Sequence, residues 1–588
     1  MGSEESFSFY DRQAVIKTRK EIPKNTFEVT KTEIFFEANL RFIKNLKEKD
    51  SPLLVILPEE YSDKKQTELI VDVLGELTFK KIEEVKDEKY SGIIKDRYIL
   101  SLFVEELYDY WRSYERFFIY YIEDQGKFDP HAPYAHFNEK VETINHLVRK
   151  TYRDIAYNIT GELLRIYRQV PAACQVGLVV MKENNFLPLA KEYSILKNIY
   201  FIKQVLINPP LIINPPTNTR NGEFKKVHSN PLEKVSIEDK DYLCYPAKVG
   251  NLLIQFYFHN KFIGIGTAVA NLFDLAGRPD ILKKPDAVFI FGVEDTSLSH
   301  FDSKTVFYED EKNDILVAAC PRNDEFGYFG YIKKMILTLH NIVMMRRGRM
   351  PVHGAMVNIS MKNKKSANIV IWGDSGAGKS ETIEAFRKLS GKYLRDIKII
   401  FDDMGSLEIS ESGSGIKAYG TETGAFVRLD DLSPEYAFGS IDRSIIMNPQ
   451  KTNARAVLPI TTMHEVLYGY DVDYILYANN YEQIDEYHTI FERINSKEKA
   501  MEIFKHGARF AKGTTTEKGL VHTYYSNIFG PSQYKAVHDI IAENFFRKMY
   551  SSDKIKVGII RTRLGIPGYE SKGPEEAAKA LFEEINNN

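Results

Sequence analysis

Cysteine is scarce in this chain: there are three in 588 residues, Cys174, Cys244 and Cys320, far apart and with no C-x-x-C pair. An odd, scattered set excludes a disulfide framework and fits a reducing, cytoplasmic setting. Also missing is any run of about 18 consecutive apolar residues, the pattern a membrane-spanning helix needs. The opening Met1-Gly2-Ser3-Glu4 lacks the basic-then-apolar plan of a signal peptide. It touches the myristoylation pattern, but no polybasic segment follows, and one acyl chain alone anchors weakly. Neither sign of charge is in excess, with 79 basic and 81 acidic residues and a formal net charge of -2. That balance gives no reason to expect nucleic acid or an anionic membrane as a partner. Internal repeats and low-complexity tracts are lacking as well.

What is present is a long chain of ordinary globular composition, 43% hydrophobic and 27% charged, too long for one core and suited to two to four domains. Leu53–Leu57, bounded by Pro52 and Pro58, reads as a buried strand, and Leu69–Leu74 as a helix face. From Tyr98 to about Tyr167 the chain turns Gly-poor and aromatic-rich, which predicts helices through Phe118 and again from Phe137, broken near Pro130 and Pro133. Aromatic stripes at helical spacing are usually core, so this segment is expected to form a helical layer on the body of the protein or against another subunit, a route to a homo-oligomer. Residues 204–232, with Asn208-Pro-Pro, Asn214-Pro-Pro and Asn230-Pro, read as a long loop. Strands are expected at Val288–Phe291, Ile315–Ala319, His353–Ile359 and Ile397–Phe401, with a helix over Tyr331–Met345. Alternating strand and helix predict an α/β nucleotide-binding architecture. The expected division is an N-terminal α/β domain over 1–345, carrying a helical insertion at about 98–170, and a nucleotide-binding domain over 346–588.

The chemistry centres on Gly373-Asp374-Ser375-Gly376-Ala377-Gly378-Lys379-Ser380, a full match to the phosphate-loop (P-loop) pattern G-x-x-x-x-G-K-S. The apolar run Ile369–Ile371 before it reads as a strand, and Glu381–Leu389 after it as a helix. Glycines let several backbone N–H groups converge on one point, and the following helix adds the positive end of its dipole. A polyanion belongs there. Lys379 is placed to reach the β- and γ-phosphates of ATP, and the Ser380 hydroxyl to ligate a divalent ion. Downstream, the strand Ile397–Phe401 leads into Asp402 and Asp403, a carboxylate pair where a phosphate-loop enzyme needs a metal-holding acid.

With these in hand the chain resembles the ATP-type phosphoenolpyruvate carboxykinases, and in the phosphate-loop block also HPr kinase/phosphorylase. The resemblance spans about 285 to 580 in ordered blocks: Lys284-Pro-Asp-Ala-Val-Phe-Ile, Tyr328-Phe-Gly-Tyr-Ile-Lys-Lys334, His353-Gly-Ala-Met-Val-Asn, the phosphate loop, Phe401-Asp-Asp403, Asn453-Ala-Arg455-Ala-Val-Leu-Pro459, and Ala511-Lys-Gly-Thr-Thr-Thr516-Glu517-Lys-Gly519. It implies a carboxykinase-like two-lobed α/β fold with a P-loop domain, plus the added helical layer. It further implies Lys334, His353 and Asp403 as ligands of a catalytic Mn²⁺, and Mg²⁺ carried by ATP at Ser380. Arg455 would bridge the transferred phosphoryl group and its acceptor, Tyr328 would face the substrate, and Glu381, Glu435 and Thr516 would lie near the nucleotide. A ligating lysine must be neutral, which requires its pKa to be pulled down by the ion and by burial.

One part of the family pattern has no counterpart: the Arg-Ser-Pro-Lys-Asp-Lys segment whose arginine grips the substrate carboxylate. Arg220 and Arg278 are the candidates for that role. The acceptor therefore stays open. Conversion of oxaloacetate and ATP to phosphoenolpyruvate, CO₂ and ADP leads. A kinase acting on a protein serine or small alcohol, with Asp402 or Asp403 as the base that the HPr kinase resemblance implies, is the alternative, and a nucleotide-sensing module that has lost catalysis comes last.

Overall fold

The computed structural model describes residues 5–19, 22–122, 132–162, 166, 168–183, 190–220, 224–410, 415–429, 441–511, 519–530, 534–551 and 554–587. Over these residues the chain is mixed α/β and forms two compact units, Met1–Lys182 with Tyr200–Leu211, and Glu183–Ile199 with Ile212–Asn588. Among the described residues no helix is long and apolar enough to cross a membrane.

The first unit pairs a sheet with a helical layer. An antiparallel hairpin, β1 (Glu5–Tyr10) and β2 (Gln13–Thr18), continues into parallel β3 (Glu115–Ile122) and β4 (Val176–Lys182), with β5 (Tyr200–Ile207) antiparallel at β4. The longer helices are α1 (Glu33–Glu48), α2 (Asp63–Glu76), α3 (Arg97–Arg112) and α4 (Ala132–Thr160). The first three begin where the sequence supplies a capping oxygen: Thr32, Ser62 and Asp96 accept from the N–H groups of Phe35, Lys65 and Ile99. Their apolar faces meet in one core containing Phe42, Leu74, Leu100 and Phe103.

Two expectations are corrected here. Leu53–Leu57 is not a strand; Pro52–Ile56 is a 3-10 turn capped by Ser51, with Leu53 and Ile56 buried three residues apart and Val55 pointing outward. Proline suits the first position of a helical turn, and i, i+3 spacing puts both apolar side chains on one side. The aromatic stretch past Trp111 does not stay helical either. Helix α3 ends at Arg112, and Glu115–Ile122 is a strand whose Phe117, Phe118 and Ile119 are buried. A strand flanked by parallel neighbours and covered on both faces shows a continuous apolar run without alternation.

The second unit holds the expected strands and helix. In one sheet β6 (Tyr242–Val249) pairs antiparallel with β7 (Leu252–His259), β8 (Ala287–Val293) runs parallel to β7, and β10 (Ile315–Pro321) runs parallel to β8 with β9 (Val306–Asp310) antiparallel beside it. The 204–232 stretch is not all loop: 204–207 belong to β5, and Lys225–Val227 pairs with β9. Helix α5 (Phe329–Arg346) follows, buried on all sides.

A second sheet carries the phosphate-loop segment. Its longer strands are β11 (Met350–Met361), β12 (Ser366–Trp372), β13 (Leu394–Ile409) and β14 (Ile416–Gly420), joined later in the chain by β17 (Tyr474–Asn479) and β18 (Lys556–Arg561). β12 lies between antiparallel β11 and parallel β17, and β13 is antiparallel to β11. Helix α6 (Lys379–Tyr393) links β12 to β13 and packs against α7 (Lys572–Asn587) through Phe386 and Phe582, 5.2 Å between ring centroids. A smaller sheet pairs β15 (Gly424–Arg428) with β16 (Arg455–Pro459). The strand expected over Ile397–Phe401 runs from Leu394 to Ile409, because Asp402 and Asp403 keep pairing with Ala355 and Gly354 of β11.

Candidate active site

β12 delivers the loop and α6 receives it. Gly373 N–H donates to the His353 carbonyl at 3.0 Å, so the loop leaves the sheet beside the strand that carries His353. Gly376 and Gly378 take φ of +76° and +94°, a region that favours glycine, and a Cβ on Gly378 would lie 2.6 Å from the Thr562 side chain. Outside residues hold the loop in shape: Asn480 donates to Gly376 O at 2.8 Å, Thr562 Oγ1 to Ala377 O at 2.7 Å, and Arg509 Nε to Asp374 Oδ2 at 2.8 Å. Asp374 and Arg509 are both buried, so each charge depends on the other. Ser375 N–H donates to Asp374 Oδ1 at 2.7 Å.

Lys379, the first residue of α6, is 6% exposed and its ammonium donates to the carbonyls of Gly373 (2.8 Å) and Asp374 (3.1 Å). Next to it the Ser380 hydroxyl lies 3.0 and 3.1 Å from the two Asp402 carboxylate oxygens. Glu381 follows in the first turn of the helix.

Across the sheet from this pair sits a buried charge cluster. Asp403 Oδ1 is 2.9 Å from His353 Nε2, and its Oδ2 accepts from the ammonium of Lys333. The all-round burial of α5 brings Lys333 inside at 5% exposure, and a buried ammonium needs a carboxylate. Glu422, fully buried between β14 and β15, lies 3.7 Å from the same ammonium, and neither of its oxygens has a hydrogen-bond partner. His353 Nδ1 faces the Ser526 carbonyl, so both ring nitrogens point at oxygen acceptors. A ring nitrogen that carries a proton can donate to its oxygen, and Nε2 and the Asp403 carboxylate are donor types that a divalent cation would take.

The environment drives these carboxyls apart. Burial raises Glu422 to about 8, opposed by Lys333 and reinforced by Asp403 and Asp402. Burial likewise raises Asp402, against Lys379 and the Ser380 hydroxyl. For Asp403 burial works in the same sense but loses to Lys333 and His353, which take it well below the usual carboxylate range. For Lys333 burial favours the neutral amine, yet Asp403 and Glu422 outweigh it and hold the pKa above the ordinary lysine value.

The lysine at Asp403 is therefore Lys333. The ammonium of Lys334 lies 4.7 Å from the ring of Phe529, which in turn packs on His353 at 5.6 Å. Arg455 opens β16 with its guanidinium 5.4 Å from the Phe426 ring and its Nε buried without a partner. Lys333 lies 6.0 Å from the same ring and Tyr328 5.9 Å, so Phe426 is the common neighbour of three candidate residues. Arg278 is exposed on a short helix. Arg220 lies two residues after Asn218, which bonds Thr452 O and receives Asn453 Nδ2, tying that segment to the residues just before Arg455. Glu435 and Thr516 lie outside the described residues. Among the described residues no group of three or more His, Cys, Asp or Glu side chains is gathered to hold a metal ion. The carboxylate, hydroxyl and imidazole donors of Asp403, Asp402, Ser380 and His353 are nonetheless the types that suit Mg²⁺ and Mn²⁺.

Lys333, Glu422, Arg509 and Thr562 escaped the sequence reading. Lys333 carries a signal as half of a lysine pair on an otherwise apolar helix; Glu422, in Gly-Thr-Glu-Thr-Gly, carries none. No known family model matches the chain, and no curated protein is significantly similar to it.

Proposed function

We propose that this protein is an ATP- and divalent-metal-dependent phosphoryl-transfer enzyme resembling phosphoenolpyruvate carboxykinase. The observation that carries the reading is the Ser380–Asp402 contact beside buried Lys379, with Asp403, one residue further along β13, in contact with His353 of β11 and Lys333 of α5. Nothing in an ordinary strand-to-helix turn calls for so many buried charges at one place.

In this reading the loop N–H groups and the Lys379 ammonium bind the β- and γ-phosphates, Lys379 exchanging its two carbonyl partners for phosphate oxygens. A divalent ion at Ser380–Asp402 and another at His353–Asp403, with a lysine of the 333–334 pair, would neutralise charge on the phosphate and substrate oxygens. Arg455, with an unpartnered Nε, supplies a guanidinium for the phosphoryl group in transfer. With oxaloacetate as acceptor, the bond to the departing CO₂ breaks and leaves an enolate. The enolate oxygen attacks the γ-phosphorus, and the bond to the β–γ bridging oxygen breaks to give phosphoenolpyruvate and ADP. Arg220 is the better placed of the two arginines for the substrate carboxylate, through the Asn218 ties to the Arg455 segment.

A hydroxyl kinase is the second reading, favoured by one feature: burial raises Asp402, making its carboxylate a stronger base for an acceptor hydroxyl. A product screen separates the two. ATP with Mn²⁺ and Mg²⁺ is incubated with oxaloacetate, with free serine and other small alcohols, and with casein-like protein, and ADP, CO₂ and phosphorylated products are measured. The carboxykinase reading expects ADP and CO₂ in equal amounts from oxaloacetate, both abolished by Arg455→Ala. ADP formation only with a hydroxyl acceptor assigns the second reading, and ATP binding without turnover on any acceptor overturns both.

A further inference from the structure

His353 is backed by a piece of main chain that L-residues seldom form. Tyr525, Ser526 and Asn527 follow one another at φ +43°, +59° and +60°. Residues other than glycine visit this left-handed region chiefly as single Asn or Asp positions, not as a run that includes Tyr and Ser.

The surroundings hold the run in place. Tyr525 and Ser526 are buried. The N–H groups of Ser526 and Asn527 donate to the carbonyls of Thr523 (3.0 Å) and Tyr524 (3.1 Å), and the Tyr525 N–H donates to Lys505 O at 3.2 Å. From the end of β12, the Trp372 indole N–H donates to Tyr525 O at 3.3 Å, and the Tyr525 ring packs on that of His538 with 4.9 Å between centroids. Backbone strain locked in by its neighbours clusters where a group has to be aimed.

What the turn aims is the Ser526 carbonyl, which faces His353 Nδ1. A carbonyl only accepts, so this nitrogen is the one that has to carry a proton. A second acceptor stands near the same nitrogen, since Asp374 Oδ1 of the phosphate loop lies 3.8 Å from it. The other ring nitrogen, Nε2, faces Asp403 Oδ1 at 2.9 Å. In a neutral imidazole either nitrogen can hold the single proton, and the hydrogen bond made by one decides which of them is open to a metal.

We propose that the left-handed turn Tyr525–Asn527 is a positioning element of this site: through the Ser526 carbonyl it keeps a proton on His353 Nδ1, so that Nε2 is the nitrogen available to a divalent ion beside Asp403. The ion belongs to the proposed function and this part rests on it, whereas the proton on Nδ1 does not. Removing a partner that orients a ligating imidazole lowers metal affinity by about 10- to 100-fold.

The test reads the ring directly. In ¹⁵N NMR of the metal-free, histidine-labelled 588-residue chain, with the His353 signals assigned by their loss in His353→Gln, Nδ1 should be protonated. Ser526→Gly keeps both the positive φ and the carbonyl, and should match the wild type in that spectrum and, within about threefold, in Mn²⁺ affinity measured by electron paramagnetic resonance. Ser526→Val, whose branched side chain disfavours positive φ, should move the proton toward Nε2 and weaken Mn²⁺ binding by about tenfold or more. A lone pair on Nδ1 in the wild type overturns the proposal. So does its appearance in Ser526→Gly, or a folded Ser526→Val that keeps both the Nδ1 proton and full affinity. If the wild type binds no Mn²⁺, the metal reading fails, and the spectra of wild type and Ser526→Gly alone decide the role of the turn. Those two spectra also stand whatever Ser526→Val does to folding.

Discussion

At the scale of single residues, the site is a set of buried groups whose charges are fixed by immediate neighbours. Lys379 is the simplest case. Replacing it with alanine removes the cation expected on the phosphates and strands two loop carbonyls, Gly373 and Asp374, that now accept from it. On the proposed function, we expect Lys379→Ala to lower ATP turnover by about a hundredfold or more and to lack the rise in melting temperature expected when ATP is added to the wild type. Unliganded, the variant should lose about 1–3 kcal/mol for the unpaired carbonyls. Turnover within twofold of wild type would show that the loop does not hold phosphate.

Glu422 gives a pH dependence with a definite sign. Folded, its carboxyl is raised to about 8; unfolded, it ionises near the ordinary 4.5. Between those values the unfolded chain has released a proton that the folded chain still holds, so the fold weakens as pH rises, by ~1.4 kcal/mol per pH unit at most. Below 4.5 both states are protonated and the contribution is constant. Glu422→Gln keeps the shape without the titration. Its melting temperature should match the wild type near pH 4 and exceed it near pH 8. An equal difference at both pH values would rule out Glu422 as the titrating group.

At the scale of elements, the strand–loop–helix of β12 and α6 depends on glycines that permit positive φ. Gly378→Ala meets two penalties, a φ of +94° and a Cβ 2.6 Å from Thr562, the residue that braces Ala377 O. Gly348, at φ +70° with open space around it, separates them, since alanine there pays only the backbone cost. We expect Gly348→Ala to destabilise by about 1–2 kcal/mol and Gly378→Ala by more, with loss of ATP-induced stabilisation in the second alone. Thermal melts with and without ATP distinguish them.

Elements also show what was legible. The phosphate-loop segment, β8, β10, α5 and β11 could be read from the sequence because their signals are local: glycine spacing, apolar runs and helical period. Glu115–Ile122 could not, since an aromatic run next to a helix looks the same whether it continues the helix or slots between two strands. The inward turn at Pro52 was hidden for a similar reason, five apolar residues being compatible with either geometry. At the site, the Lys-Lys pair was legible but the choice within it was not. Adjacent helical residues point about 100° apart, and only the packing of α5 decides that Lys333 meets Asp403.

For the whole molecule, the chain crosses between its two compact units at 182–183, 199–200 and 211–212. Residues 183–199 thus belong with the second unit, and Tyr193 shows why. It is 1% exposed and its hydroxyl donates to Asp310 Oδ2, a carboxylate whose pKa, raised by burial, is brought below its ordinary value by Asn313 and Tyr193. Tyr193→Ala should destabilise the protein by about 3–5 kcal/mol, visible as a lower melting temperature, whereas Tyr193→Phe, which loses only the hydrogen bond, should cost about 1–3 kcal/mol. Equal, small effects from both would mean that this segment adds little to the second unit.

The sequence by itself determined the local geometry of the phosphate-loop segment, the mixed α/β class, and which residue types could do chemistry, because these depend on neighbours within a few positions. Only the tertiary structure decided that residues 212–345 share a compact unit with the phosphate-loop segment. It alone decided that β13 carries its carboxylates mid-strand, that Lys333 and not Lys334 reaches Asp403, and that Glu422 is buried beside them. Those outcomes depend on strand pairing and desolvation between residues up to about ninety positions apart, such as Lys333 and Glu422. Such pairing leaves no mark in the order of the chain.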